Sequence, residues 1–199
     1  MNKELILKNT QAFILKQFAG EGTGHDYYHI ERVVKLAKQI AEEENADVFL
    51  VELAAWLHDL GDYKLHDGVD RSIELISGFL LLEEVDSEII QKVLEIVSQV
   101  SFSKGNKAES LEAKIVQDAD RMDAIGAIGI ARCFAYGGSK QREIYNPENP
   151  DETSIQHFYD KLLKLKDLLN TDSAKKLAEE RHQFLENFLE QFYKEWNGN

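Results

Sequence analysis

Apolar residues recur three and four positions apart along almost the whole chain, and no short stretch alternates cleanly between apolar and polar side chains. The first spacing lines one face of a helix, whereas a half-buried strand requires the second. The pattern predicts an all-α protein, a bundle of about nine helices without significant sheet. Helices are expected over Asn2–Phe18, Asp26–Glu44, Ala46–Leu60, Asp70–Leu82, Asp86–Val100, Ser110–Met122, Ala124–Tyr136, Thr153–Leu169 and Ala174–Trp196. The third is almost continuously apolar, which places it in the middle of the bundle. Gly61 is expected to end it, and Gly137-Gly138 to end the seventh. Both prolines, Pro147 and Pro150, fall in the polar stretch Ser139–Glu152, read as an exposed loop.

The chain has 199 residues, a length that one domain of residues 1–199 can use to bury roughly 70% of its unfolded surface. It needs no covalent staple, and with Cys133 as its single cysteine it can form no internal disulfide. The N-terminus, Met1-Asn2-Lys3-Glu4-Leu5, has mixed charge and does not read as an export signal. No apolar run approaches the roughly 20 residues needed to cross a bilayer. A cytoplasmic protein is the expectation, with no membrane partner. Thirty-six acidic against twenty-three basic residues give a formal charge of −13, which repels a phosphate backbone and argues against long nucleic acids. A small phosphorylated substrate stays compatible, because one bound cation can invert the field inside a cleft.

Four residues stand out against this background: His29, the adjacent pair His58-Asp59, and Asp120. His29 shares a helix face with Ile30 and Val33, His58 with Val51, Ala54 and Ala55, and Asp120 with Ala113 and Val116. All three helices thus point these side chains inward. A lone inward histidine is usually a hydrogen-bonded core residue, but an ionised inward carboxylate needs a cation or donors to meet it. Two carboxylates and two imidazoles on separate helices are economically explained by one shared divalent cation.

The residues around these positions carry a resemblance. Gly24-His25-Asp26-Tyr27-Tyr28-His29-Ile30-Glu31-Arg32-Val33, then Ala54-Ala55-Trp56-Leu57-His58-Asp59-Leu60-Gly61-Asp62, then Asp118-Ala119-Asp120-Arg121-Met122-Asp123-Ala124 resemble the H…HD…D signature of HD-domain metal-dependent phosphohydrolases. The signature blocks span 24–124. The rest, 125–199, resembles a small bacterial single-domain subgroup of that superfamily, some of whose members are nucleotide pyrophosphohydrolases, and is expected to pack on the same core.

The resemblance implies an HD-domain-like helical bundle with one metal held by His29, His58, Asp59 and Asp120. Asp118 and Asp123 flank the last ligand, and Asp120 is selected by its place in Ala-Asp-Arg and by its helix face. Two-metal relatives carry more histidines between the dyad and the last aspartate. Here His66 is followed by no histidine until His157, so one ion is expected: Mn, Co, Ni, Fe, Zn or Mg. Related hydrolases place catalytic acids where Asp62 and Asp67 stand. Charge developing on phosphoryl oxygens calls for cationic donors, and the candidates are His25, Arg32, Lys64, Arg121 and Lys161. Lys140 and Arg142 join them if the 139–152 loop closes over the site.

The expected activity is hydrolysis of a phosphoester or phosphoanhydride in a small phosphorylated substrate, a nucleotide, with pyrophosphate leaving a triphosphate. Alternatives are a 5'-nucleotidase-type phosphomonoesterase and a non-catalytic metal-containing nucleotide-binding module. A Glu-x-x-His spacing at Glu179 and His182 offers half of a di-iron motif. A homodimer is left open.

Overall fold

A helix from Val48 to Leu57 is buried at eight of its ten positions, because apolar residues occupy every side of it and not one stripe. The computed structural model in which it lies describes residues 1–19, 26–62, 68–100 and 108–198. Among these, nine α-helices and no strand are present: α1 Lys3–Gln17, α2 Tyr27–Glu43, α3 Val48–Leu57, α4 Ser72–Leu82, α5 Ser87–Val100, α6 Leu111–Asp123, α7 Gly126–Ser139, α8 Ser154–Asp160 and α9 Asp172–Trp196. None is long and apolar enough to cross a membrane.

Side chains that satisfy orphan backbone donors start the helices where the sequence places polar residues. Asn2 accepts from the Leu5 amide, Asp26 from the His29 amide at 2.8 Å, Asp47 from the Leu50 amide, and Thr171 from the Ala174 amide. The chain resolves into two compact units, one of residues up to Ala119 and one from Asp120 onward, with α6 unbroken across the division. In the first unit α3 packs against α1, α2 and α5, and α4 packs against α5. Val33, Ala37, Ile40, Val51, Leu53, Ala54, Leu57, Ile76, Leu80 and Val93 have no exposed surface. In the second unit α7 packs against α8 and α9, and Phe134, Phe158 and Phe188 form a ring cluster, the last two stacked 5.6 Å apart.

Three expected boundaries differ. The third helix stops at Leu57 and not at Leu60, and residues 58–61 form a tight turn in which the Leu60 amide bonds the Leu57 carbonyl. Gly61 at φ +85° then sends the chain away, and its carbonyl accepts from the Arg71 amide at 2.9 Å. The expected helix Thr153–Leu169 ends at Asp160 and continues as two 3-10 turns, Leu162–Lys164 and Lys166–Leu168. Phe158, Leu162, Leu165 and Leu169 remain buried, so the apolar spacing is kept while the hydrogen bonds tighten to i→i+3. Burial alone does not distinguish the two ladders. Finally, α7 runs through Gly137-Gly138 to Ser139. Gly137 lies close to Ser154, and a Cβ there would require the Ser154 Oγ to turn aside.

A Cβ at position 61 would fall 2.5 Å from the backbone nitrogen of Ser72, in addition to the left-handed φ. Gly61→Ala is expected to lower stability by about 2–4 kcal/mol, from left-handed strain plus overpacking. Urea unfolding followed by circular dichroism measures it.

Candidate metal centre

Asp26 caps α2 through the His29 amide, which fixes His29 in the first turn with its imidazole 1% exposed. The turn after α3 brings His58-Asp59 to the same place. His29 Nε2 lies 3.4 Å from Asp59 Oδ2, and His58 Nε2 lies 3.4 Å from Asp59 Oδ1. The two imidazole rings stand 5.5 Å apart, tilted by 72°. One carboxylate therefore spans two buried imidazoles through their Nε2 atoms.

His58 Nδ1 sits 2.8 Å from the Ala55 carbonyl. A carbonyl only accepts, so Nδ1 carries the proton, and in the neutral ring the Nε2 lone pair faces the cluster. This second contact orients a ligand histidine in many metal sites. Asp120, half-buried near the end of α6, completes the arrangement: one ligand atom from each of His29, His58 and Asp120 lies within 4.8 Å of the others. Neither His182 nor another aspartate of the 118–123 segment joins such a group among the described residues.

The two aspartates flanking Asp120 have different surroundings. Asp118 is fully buried. Asp123, 4% exposed, takes Arg132 Nη1 at 2.8 Å. Arg181 lies close enough for the Asp123 charge to act on it, and its Nη1 donates to the Met122 carbonyl at 2.6 Å. Arg121 Nη1 donates to the Leu168 carbonyl. Three arginines thus tie down the last turn of α6, immediately beyond Asp120. Sequence reasoning took Arg121 only as a phosphate donor and did not single out Arg132 or Arg181. The available signal was Asp123 itself, a second inward carboxylate that required a cation of its own.

Asp62 is half-buried just past the dyad turn, its amide bonded to the Asp59 carbonyl at 3.2 Å. Arg32 is half-buried one turn after His29 on α2, and Lys161 is half-buried at the end of α8. His25, Lys64 and Asp67 lie outside the described residues. Among aromatic residues that could stack a base, Tyr27 is buried, stacks on Trp56 at 6.0 Å and accepts from Gln11 through its hydroxyl. It is a packing residue. Tyr28 and Tyr136 are 63% and 41% exposed.

In the second unit, Arg142 and Lys161 both act on His157, whose pKa is lowered first by burial and then by these two cations, with Asp160 opposing. Burial pushes the nearby Cys133 thiol up to about 11, so it stays protonated near neutral pH.

The HD domain family model matches residues 26–125. The chain is 46% identical over 182 residues to the uncharacterized protein YpgQ of Bacillus subtilis, covering 89% of this chain and 87% of that one. A crystal structure of Bacillus subtilis YpgQ in complex with ADP superposes with a TM-score of 0.84 at 41% identity, covering 96% of this chain and 98% of the other. An HD-superfamily hydrolase from Bacillus thuringiensis gives a TM-score of 0.86 at 44% identity, with all of both chains covered.

Two outcomes are expected from these electrostatics. Asp123→Ala leaves Arg132 and Arg181 without their carboxylate, and with Arg132 only 19% exposed the loss should be about 2–4 kcal/mol. A lower urea midpoint at unchanged slope checks it. For His157 the folded pKa lies below the ordinary 6.5. The neutral ring therefore stabilises the fold above that pH, and this contribution is lost as pH falls from 6.5 through the folded value. His157→Gln should flatten that part of the stability profile, measured by denaturation at a series of pH values.

Proposed function

This chain belongs to the HD-domain family, whose members share an all-helical hydrolase fold, and from that premise we propose that it is a phosphohydrolase of small nucleotides, one functional domain, using one divalent cation held by His29, His58, Asp59 and Asp120. The observation that carries this reading is that two imidazoles are shared by two carboxylates: Asp59 lies 3.4 Å from each Nε2, and one ligand atom each of His29, His58 and Asp120 lies within 4.8 Å of the others.

The donor set suits the ion. Two neutral imidazoles and two carboxylates form a mixed N/O site compatible with Mn, Fe, Co, Ni, Zn or Mg. The Ala55 carbonyl holds His58 in the tautomer a ligand requires. A bound divalent cation supplies a hydroxide-like water near neutral pH and polarises a phosphoryl oxygen. The remaining work falls to the chain. Asp59, lying across both imidazoles, keeps them facing one point. Asp62, three residues on, is the group to orient the attacking water or pass a proton to the leaving oxygen, a role Asp67 could share. Arg32, Lys161 and Arg121 are the described candidates for balancing charge on the phosphate oxygens, with His25 and Lys64 as further ones.

The nucleotide class is supported by the ADP complex of the Bacillus subtilis relative and by the acidic surface, which disfavours polymers. Release of pyrophosphate from a nucleoside triphosphate is the reaction type we favour.

The purified protein should contain one divalent metal per chain by elemental analysis, and release pyrophosphate from one or more nucleoside triphosphates. His58→Ala and Asp59→Ala should each lose the metal and more than about 100-fold in turnover, a larger loss than removal of an outer-sphere partner brings. A variant without metal but with full activity overturns the mechanism. Retained metal without any product from mono-, di- or triphosphates points instead to a binding module, and phosphate from a monophosphate to a 5'-nucleotidase-type enzyme.

A further inference from the structure

The second unit has a cavity of its own, of about 380 Å³, lined by Lys140, Arg142 and His157 together with Asp151, Glu152 and Asp160. Its volume falls within the range of about 300–1,000 Å³ usual for small-molecule sites. Its walls are fixed by main-chain bonds. After α7 the Gln141 backbone takes φ 56°, and the Arg142 amide returns to the Gly137 carbonyl at 2.9 Å. Farther along, the Ser154 and Ile155 amides bond the Glu143 and Ile144 carbonyls at 2.9 and 3.0 Å, fastening the loop to the first turn of α8. Gly137 permits the contact of α7 with Ser154 that closes this corner.

The cations on this wall are not quenched by the acids opposite. Arg142 is half-buried, yet its guanidinium makes no hydrogen bond or ion pair with any described residue. Lys140 rests 5.7 Å from the Tyr136 ring centroid and forms no ion pair within 4 Å among the described residues. Asp160 instead takes the Gln156 amide at 3.0 Å. The field of Arg142 is felt by two half-buried neighbours, His157 and Cys133. A half-buried guanidinium gains most from a bidentate oxyanion, and carboxylate or phosphate oxygens are the groups that match it. In a chain of formal charge −13, a cation pair left open in a preformed cavity marks a place where an anion is favoured.

The carboxylates restrict which anion fits. Asp151 and Glu152 would repel a ligand charged throughout, but they accept hydrogen bonds from hydroxyl or amino groups. We propose that this cavity, whose lining includes none of the candidate metal ligands, is a nucleotide-binding site in which Arg142 and Lys140 hold a phosphate group while Asp151 and Glu152 accept from the sugar or base. His157, half-buried on the same wall, can add a ring N–H donor to the phosphate. The assignment stands independently of the metal centre and of the reaction proposed for it.

Binding of ADP and of orthophosphate is measured by calorimetry on the full-length chain with His58→Ala, and on the same chain with Arg142→Ala added. Lys140→Ala serves as a second probe of the same wall, with circular dichroism as the check on folding. The expected result is that ADP binds the His58→Ala chain and that either added substitution weakens it 10-fold or more. Orthophosphate binding as tightly as ADP assigns the site to the free ion and removes the role of Asp151 and Glu152. Equal ADP affinity with and without Arg142, or no ADP binding to the His58→Ala chain, overturns the proposal. Neither outcome bears on metal content or turnover of the unsubstituted protein, so failure of the cavity and failure of the metal centre are read separately.

Discussion

A helix surrounded on all sides by other helices must deliver whatever follows it into the interior, and α3 does this with a histidine and an aspartate. Its apolar surface packs against α1, α2 and α5, which leaves the turn at residues 58–61 largely buried, with the Asp59 side chain 16% exposed, before Gly61 reverses the backbone. An ionised carboxylate in such a place is costly unless positive charge or donors surround it. Asp59 meets two imidazoles there, each 3.4 Å away. The centre is thus a consequence of how the core is packed: the element that contributes most to burial also positions the most polar group. Disturbing α3 therefore perturbs the core and the site together.

Much of this was legible in the chain. Helical spacing gave the class, and Asp26 before Tyr27-Tyr28-His29 is a capping pattern that locates His29 in the first turn of its helix. The central position of α3 followed from its unbroken hydrophobicity. What could not be read were features decided by contact rather than by periodicity. The spacing of Phe158, Leu162, Leu165 and Leu169 is the same for an α-helix and for successive 3-10 turns, and only the hydrogen bonds differ. Gly137 and Gly138 suggested a helix end, yet α7 runs through both, with Gly137 close to the Ser154 side chain. The length of α3 was overestimated because Leu60 continues the apolar pattern while already lying in the turn.

The candidate ligands were legible for a related reason. A charged residue on an otherwise apolar face has to be compensated, so each such position announces that a partner exists, though not which one. For Asp120 the neighbours are His29 and His58. For Asp123, three residues on, they are Arg132 and Arg181. The same sequence signal has two structural answers, one a cluster that could hold an ion and the other an internal ion pair, and only the fold distinguishes them.

Both answers act on a single helix end. The last turn of α6 is bound through the Met122 carbonyl, the Asp123 carboxylate and the Arg121 guanidinium, and Asp120 sits just before all three. A candidate metal ligand whose backbone is held this firmly would lose little freedom on binding, so less of the binding free energy would be spent on ordering it. The arginines make this possible because each can satisfy several acceptors at once with a planar, permanently charged group. In a strongly acidic chain they are placed inside, where uncompensated carboxylates would be most damaging. Arg142 is the instructive exception: equally planar and half-buried, it faces a cavity where the others face a carbonyl or a carboxylate. The physical requirement that paired the others applies to it as well, and with no partner among the described residues an anion from outside the chain is the group proposed to meet it.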